Sequence, residues 1–254
     1  MSVTPHDATA RPGTVLILGA TSPIARVLAL AFARRGHALV LAGRDPVELD
    51  RTAADVRART RHAAVVTGRF DATVEASHAA LLADLGGELE GVVVATGALG
   101  DAARARSDAR YAAELTTANY AGLVRVLSTL AEQLEQQRRG FIIGLGSVAG
   151  DRGRQSNYVY GAAKGALALF LQGLRNRLAP SGVRVLTVKL GFVDTAMTYG
   201  LSLPLPALSP EEAGRRVLRA LDRGRDVAYV PGWWRWVMLL IRAIPERLFK
   251  RLKL

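Results

Sequence analysis

The 254-residue chain contains no cysteine. That excludes a disulfide framework, thiol catalysis and cysteine metal ligation, and it suits a reducing compartment. Histidine is scarce too: four scattered residues show no spacing that would hold a metal. No uninterrupted apolar run is long enough to span a bilayer, and no internal period marks a repeat architecture. Residues 1–13 are polar, carry Pro5 and Pro12, and lack the apolar stretch of a signal peptide. They are expected to form a flexible leader.

Half of the residues are hydrophobic, so a sizeable core is available, and the length fits one large α/β domain or two small ones. The formal net charge is +12, from 34 basic and 22 acidic residues. Such an excess suggests anionic partners: phosphorylated substrates, anionic lipid or nucleic acid. Nucleic acid is disfavoured, because basic and acidic residues are mixed everywhere except in the last eight residues, where four bases stand without an acid.

Short apolar runs alternate with helical patterns along the chain. Strands are expected over 15–18, 38–42, 63–67, 91–95, 141–145, 183–189 and 227–230. Helices are expected over 23–35, 46–59, 73–85, 111–137, 158–178 and 210–222. The strands are continuous apolar runs, which fits a parallel sheet covered on both faces. The reading is a single α/β domain, a Rossmann-type doubly wound sheet over 14–232, with ligand at the carboxyl ends of the strands.

Gly19-Ala20-Thr21-Ser22-Pro23-Ile24-Ala25 joins the first strand to the first helix. Unpaired amides and a positive dipole make a helix start favourable for phosphate, so Gly19, Thr21, Ser22 and Ile24 are candidate cofactor contacts. Only one glycine is present before the helix, and Pro23 removes an amide donor. Arg44 closes the second strand, where an acid would bind a ribose hydroxyl and an arginine would accommodate a 2′-phosphate. NADP(H) is therefore favoured; Asp45, next in sequence, keeps NAD(H) possible.

Ser147, Tyr160 and Lys164 are the candidate catalytic centre. Tyr160 and Lys164 are four residues apart and share a helix face. A phenol exchanges protons poorly at neutral pH, and a nearby ammonium favours its ionised form. A hydroxyl at the end of a strand, Ser147, can orient a substrate carbonyl beside it.

Taken together, these residues resemble the short-chain dehydrogenase/reductase family over about Thr14 to Val230. The resemblance implies a tetrad of Asn119, Ser147, Tyr160 and Lys164. Tyr160 would be the general acid for carbonyl reduction. Lys164 would lower its pKa and hold the nicotinamide ribose. Ser147 would bind the carbonyl oxygen, and Asn119 would support a water bridge to Lys164. It further implies that Asp71 and Ala72 flank the adenine, that Gly97 lines the cofactor, and that Val193 and Thr195 hold the carboxamide. Three segments depart from the usual pattern. Pro23 and Ala25 replace glycines, Ala95-Thr96-Gly97-Ala98 replaces Asn-Asn-Ala-Gly, and Leu190 stands where Pro is usual. With Tyr229-Val230-Pro231-Gly232-Trp233-Trp234, this variant is similar to decaprenylphosphoryl-2-keto-ribose reductases. That likeness implies a polyprenyl-phosphate 2-keto-pentose as substrate, a flavin oxidase as supplier, and polyprenylphosphoryl arabinose for cell-wall or surface glycans as product. The family likeness also implies a homo-oligomer, a dimer or tetramer through the long helices.

Residues 233–254 hold all three Trp. An apolar face flanked by Trp and Arg suits the headgroup boundary of a membrane, so the tail is expected to lie on a membrane surface or to pack on the core or a second subunit. The expected place is the cytoplasm, peripheral on the inner face of the cell membrane. Two other functions stay open: reduction of another lipid or hydrophobic ketone, and a non-catalytic dinucleotide sensor.

Overall fold

The computed structural model describes residues 13–60, 64–85, 88–200 and 205–252. Apart from Gly13, the expected leader lies outside them. Seven parallel strands form one sheet in the order β3-β2-β1-β4-β5-β6-β7. They are β1 (Thr14–Leu18), β2 (Ala38–Gly43), β3 (Val65–Arg69), β4 (Leu89–Val94), β5 (Phe141–Ser147), β6 (Arg184–Leu190) and β7 (Val227–Val230). The chain steps outward from β1 to β3, then crosses back to β4 on the other side of β1. That reversal opens a crevice at the carboxyl ends of β1 and β4.

The inner strands are buried on both faces because they are apolar on both sides, whereas the edge strand β3 keeps Val66, Thr67 and Arg69 exposed. Helices α1 (Pro23–Arg34), α2 (Pro46–Thr60) and α8 (Pro210–Asp222) enclose one core, with Val15, Ile17, Leu28, Phe32, Ile143 and Val217 inside it. Helices α3 (Glu75–Ala83), α6 (Gly122–Gln137) and α7 (Tyr158–Leu178) enclose the other. There Leu123, Leu127, Leu130 and Leu134 of α6 lie at helical spacing and meet Leu167, Leu171 and Leu174 of α7. Full burial of each such side chain contributes about 1.5–3 kcal/mol.

The structure differs from the expected elements in three places. The third strand runs over Val65–Arg69, two residues later than the apolar run suggests. Residues 101–110, where the sequence marks no element, hold α4 (Ala102–Ser107) and the start of α5 (Ala109–Thr116), each opened by an aspartate cap, Asp101 and Asp108. The helix expected over 111–137 is not continuous: a π-helical turn over Thr117–Ala121 separates α5 from α6. Its cause is Asn119. Its side-chain Nδ2 donates to Leu115 O at 2.9 Å, the carbonyl an α-helix would use for its own ladder.

The C-terminal segment forms α9 (Trp234–Ala243) and α10 (Glu246–Phe249). Trp234 and Met238 are buried against Val148, with Phe192, Val237 and Ile241 alongside. The Trp234 ring lies directly on Gly191, where a Cβ would collide with it. The opposite face exposes Trp233, Trp236, Leu239 and Leu240. No helix among the described residues is long and apolar enough to cross a membrane.

Candidate active site

Gly19 ends β1 with φ of +78°, and a Cβ there would stand 2.9 Å from the backbone of Ala95 and Thr96. Only glycine fits both demands. The chain then enters α1, whose first amides are unpaired apart from one cap: the Ser22 hydroxyl accepts from Ala25 N at 3.3 Å. Thr21 is half-buried beside it. The Ile24 side chain points into the core and is 5% exposed, which leaves only its backbone for a phosphate. Ser22 thus caps the helix and the Ile24 side chain packs on the core.

At the end of β2, Arg44 is exposed and forms no ion pair among the described residues. Asp45, next to it, is exposed. Its Oδ1 accepts from Val47 N at 3.0 Å and Glu48 N at 3.2 Å, so the carboxylate caps α2. Asp71 follows β3. Burial raises its pKa, but hydrogen bonds from the Thr73 amide and hydroxyl, with the charges of Arg44 and Arg69, outweigh that and hold it below the usual carboxylate range. Ala72 is buried, and its carbonyl occupies the place where a Cβ of Gly122 would be.

Beyond β4, Lys164 Nζ donates to Thr96 O at 3.3 Å. A Cβ at Gly97 would lie 2.6 Å from that Nζ and 2.9 Å from Asn119 Oδ1. Asn119 is fully buried and fully used: Nδ2 also donates to Ala98 O at 2.8 Å, and Oδ1 accepts from Ala98 N at 3.2 Å. The turn Thr96-Gly97-Ala98 is therefore stitched to the π-helical turn and to α7. The Thr96 Oγ1 is buried without a partner.

Ser147 closes β5. Its hydroxyl accepts from Ala149 N at 3.1 Å and hydrogen-bonds Tyr160, which lies in the first turn of α7. Burial pushes the Tyr160 phenol up; the Ser147 hydrogen bond and the charge of Arg154 pull it back only in part. Lys164, one turn on, stands with its Nζ 5.9 Å from the Tyr160 ring centroid. Burial lowers its pKa to about 8.

After β6, Leu190 continues the strand opposite Ser147, and Gly191 N donates to Val230 O at 2.9 Å. The absence of proline at 190 leaves this pairing intact. The Val193 side chain is buried in the core, and its carbonyl accepts from Thr198 Oγ1 at 2.7 Å. Thr195 is half-buried, with its amide donating to Thr198 Oγ1 at 3.1 Å.

The structure brings Asn119, Ser147, Tyr160 and Lys164 together at the carboxyl ends of β4 and β5, with Gly97 between the asparagine and the lysine. Gly19 to Ile24, Arg44, and Asp71 with Ala72 lie along the same rim, at the ends of β1, β2 and β3. Val193 and Thr195 follow β6. No group of acidic, histidine or cysteine side chains among the described residues could hold a metal.

Residues 13–203 match the family model described as short chain dehydrogenase. The chain belongs to the short-chain dehydrogenase family. It is an NAD(P)-dependent oxidoreductase of that family. An uncharacterized oxidoreductase of Mycobacterium tuberculosis is 37% identical over 241 residues, covering 94% of this chain and 96% of the relative. A short-chain dehydrogenase of Sphingobium yanoikuyae, solved in complex with NADPH, is 31% identical, with a TM-score of 0.78 over 92% of this chain and 97% of its own. A bulky-bulky ketone specific alcohol dehydrogenase of Comamonas testosteroni is 27% identical, with a TM-score of 0.80 over 93% and 96%. The residues of this short-chain dehydrogenase fit a nicotinamide dinucleotide: two glycines where no side chain has room, an open helix start, and the Thr96 hydroxyl, buried without a partner among the described residues.

The sequence pattern gave no warning of a further cluster. Asp151 is anchored by Lys189 Nζ at 2.5 Å and by the Tyr229 hydroxyl at 2.7 Å. Burial, with the neighbouring Asp151 carboxylate, keeps the Tyr229 phenol protonated. Arg152 Nη1 donates to three carbonyls at the end of α9, those of Ile241, Arg242 and Ile244, at 3.1, 2.9 and 2.8 Å. Its Nη2 pairs with Glu246 at 2.8 Å, and its guanidinium stacks on the Phe249 ring. The loop between Ser147 and Tyr160 is thereby fastened to β6, β7 and the C-terminal helices.

Proposed function

We propose that this chain is an NADPH-dependent reductase of a lipid-linked keto-sugar, the 2-keto-pentose of a polyprenyl phosphate, met at the cytoplasmic surface of a membrane. The observation that carries the reading is the fastening of the active-site loop to α9. The same helix whose carbonyls hold Arg152 exposes Trp233, Trp236, Leu239 and Leu240. A substrate with a long apolar tail has to be collected from a lipid surface, and this helix sets an apolar face beside the crevice. Next to Trp236, an open cleft is lined by Arg219, Arg223, Arg225 and Arg235. None of the four forms an ion pair among the described residues, which suits the phosphates of anionic lipid.

NADPH is favoured over NADH by the unpaired Arg44 and the occupied Asp45, and the Sphingobium relative was solved with that cofactor. When bound, NADPH supplies the hydride for the carbonyl carbon. Tyr160, whose raised pKa keeps it protonated at neutral pH, gives its proton to the carbonyl oxygen. Ser147 holds that oxygen beside the phenol. Lys164 and Asn119 fix the turn at Gly97, which would line the cofactor when it is bound.

A second reading, reduction of a bulky apolar ketone without a sugar, is favoured by the Comamonas relative. A flavin oxidase is the class of enzyme that would make the keto-sugar from its alcohol. Assembly with a second copy is part of the proposal too, supported by Leu169, 69% exposed on α7. The test is NADPH and NADH consumption with a farnesylphosphoryl 2-keto-pentose and with bulky aryl ketones, alongside flotation on vesicles. Preference for the keto-sugar, and flotation on anionic vesicles that is lost in the triple variant Arg219→Gln, Arg223→Gln, Arg225→Gln, support the reading. Turnover of aryl ketones alone would transfer the assignment to the second reading.

A further inference from the structure

The chain leaves β5 through a short 3₁₀ turn, Val148–Gly150, and Ser147 is its cap. The Ser147 hydroxyl accepts from Ala149 N at 3.1 Å, and Asp151 N donates to Val148 O at 3.1 Å to close the turn. Ser147 and Asp151 are thus the two ends of one unit. One side of that unit lies on α7. A Cβ at Gly161 would stand 2.8 Å from Ala149 O, and one at Gly150 would stand 2.6 Å from Gly165 N and 2.8 Å from the Lys164 carbonyl carbon. The turn therefore seats backbone to backbone on the helix that carries Tyr160 and Lys164.

The other side is held by charge. Lys189 of β6 is paired with Gly146 of β5 and with Tyr229 of β7. Residues paired across neighbouring strands point to one face, so ammonium and phenol stand side by side, one position before Ser147. Asp151 meets both. Its Oδ1 accepts from Lys189 Nζ at 2.5 Å, and its Oδ2 accepts from the Tyr229 hydroxyl at 2.7 Å. The aspartate side chain is 4% exposed and the lysine 17%. A buried pair of this kind offsets its desolvation only in a well-defined geometry. Asp151 therefore pins the far end of the turn to the sheet at one place.

We propose that Asp151, with Lys189 and Tyr229, is the positioning group for the Ser147 hydroxyl: it fixes the turn against α7 and so sets where that hydroxyl stands beside the Tyr160 phenol. Gly161 and Gly165 offer the turn a flat seat with no side chain to stop it sliding, and the carboxylate supplies the stop. Both carboxylate oxygens are engaged, so Asp151 acts through the turn and not on a substrate. The inference rests on Ser147 and Tyr160 being the reacting pair of a carbonyl reductase, and it adds the group that keeps them in register.

The experiment is a double-mutant cycle between Ser147→Ala and the paired change Asp151→Asn with Lys189→Met. The paired change removes both charges together, so no lone ion is left buried, and urea denaturation verifies that the fold is kept. Hydride transfer from NADPH is followed in single turnovers with the farnesylphosphoryl 2-keto-pentose and the aryl ketones. In the protein with Ser147 the paired change is expected to slow transfer about tenfold, because a misplacement of about 1 Å can cost about a hundredfold. NADPH affinity is expected to stay the same. In the Ser147→Ala background the paired change is expected to alter the rate less than about twofold, since no hydroxyl is left to misplace. Tyr229→Phe keeps the ion pair and removes one anchor. It is expected to give a smaller loss with the same dependence on Ser147, and it replaces the paired change if that protein does not fold. An equal loss in both backgrounds, a loss confined to substrate or NADPH affinity, or no loss overturns the proposal. The fluorine resonance of Tyr160 in the fluorotyrosine-labelled NADP⁺ complex, assigned with Tyr160→Phe, reads the same cycle without turnover. The paired change is expected to shift it when Ser147 is present and not in Ser147→Ala; equal shifts, or none, overturn the proposal. If Ser147→Ala alone leaves the transfer rate unchanged, the reading of the reacting pair falls and the proposal with it. A chain that reduces none of these ketones would end the substrate reading, and the resonance would still decide the positioning.

Discussion

Arg152 and Glu246 form an ion pair at 2.8 Å that joins the loop between the two candidate catalytic hydroxyls to the C-terminal helices. The arginine side chain is 14% exposed and the glutamate 78%. Their removal therefore has unequal effects. Arg152→Ala strands three carbonyls and is expected to cost about 3 kcal/mol. Glu246→Ala removes an exposed partner and is expected to cost under about 1 kcal/mol. Urea denaturation of the two variants checks this. Equal losses would mean that the carbonyl contacts carry no stability.

Tyr160→Phe keeps the ring in its buried site and removes the proton donor. Turnover is expected to fall by about a hundred- to ten-thousandfold, with NADPH affinity unchanged when followed by nucleotide fluorescence. Near-normal turnover in this variant would remove Tyr160 from the chemistry.

Lys164 gives a pH dependence with a definite sign. Its folded-state pKa of about 8 lies below the ordinary lysine value of 10.5. Between those two pH values the unfolded chain still holds the proton and the folded chain has released it. Stability contributed by this residue therefore rises with pH across that window, by up to about 3 kcal/mol, and is lost as pH falls below about 8. The difference in urea stability between wild type and Lys164→Met isolates it. A difference that stays flat across the window would show that the ammonium is not desolvated.

Arg44→Ala is expected to raise the Michaelis constant for NADPH about tenfold or more, because one charge-assisted contact to the 2′-phosphate is lost. The constant for NADH should move less than about twofold, since that cofactor offers no such phosphate. Parallel rises for both would place Arg44 outside the recognition of the ribose.

The sheet is legible in the sequence because runs such as Val15-Leu16-Ile17-Leu18 are apolar on both faces, and only a doubly covered parallel strand needs that. Ser147, Tyr160 and Lys164 are legible because their spacing sits on a strand end and a helix start, whereas Asn119 enters through the family resemblance. The break at Asn119 is not. It depends on which donor takes the Leu115 carbonyl, the backbone amide or the side-chain amide, and apolar periodicity carries no trace of that choice. The tail is legible as amphipathic but not by side, since Trp234 and Met238 make one stripe and Trp233, Trp236 and Leu240 make another. Asp151 is hidden for a different reason. A charged residue in an irregular loop reads as solvated, and its burial against Lys189 and Tyr229 comes from the pairing of β6 with β7, which only three dimensions reveal.

Gly122 touches both halves of the crevice at once. The Ala72 carbonyl fills the place of its absent side chain, and Asn119 lies less than one helical turn before it. A methyl at 122 would therefore lever the turn at Ala72 away from the helix that follows the asparagine, so both sides of the crevice would shift from one atom added where neither lies.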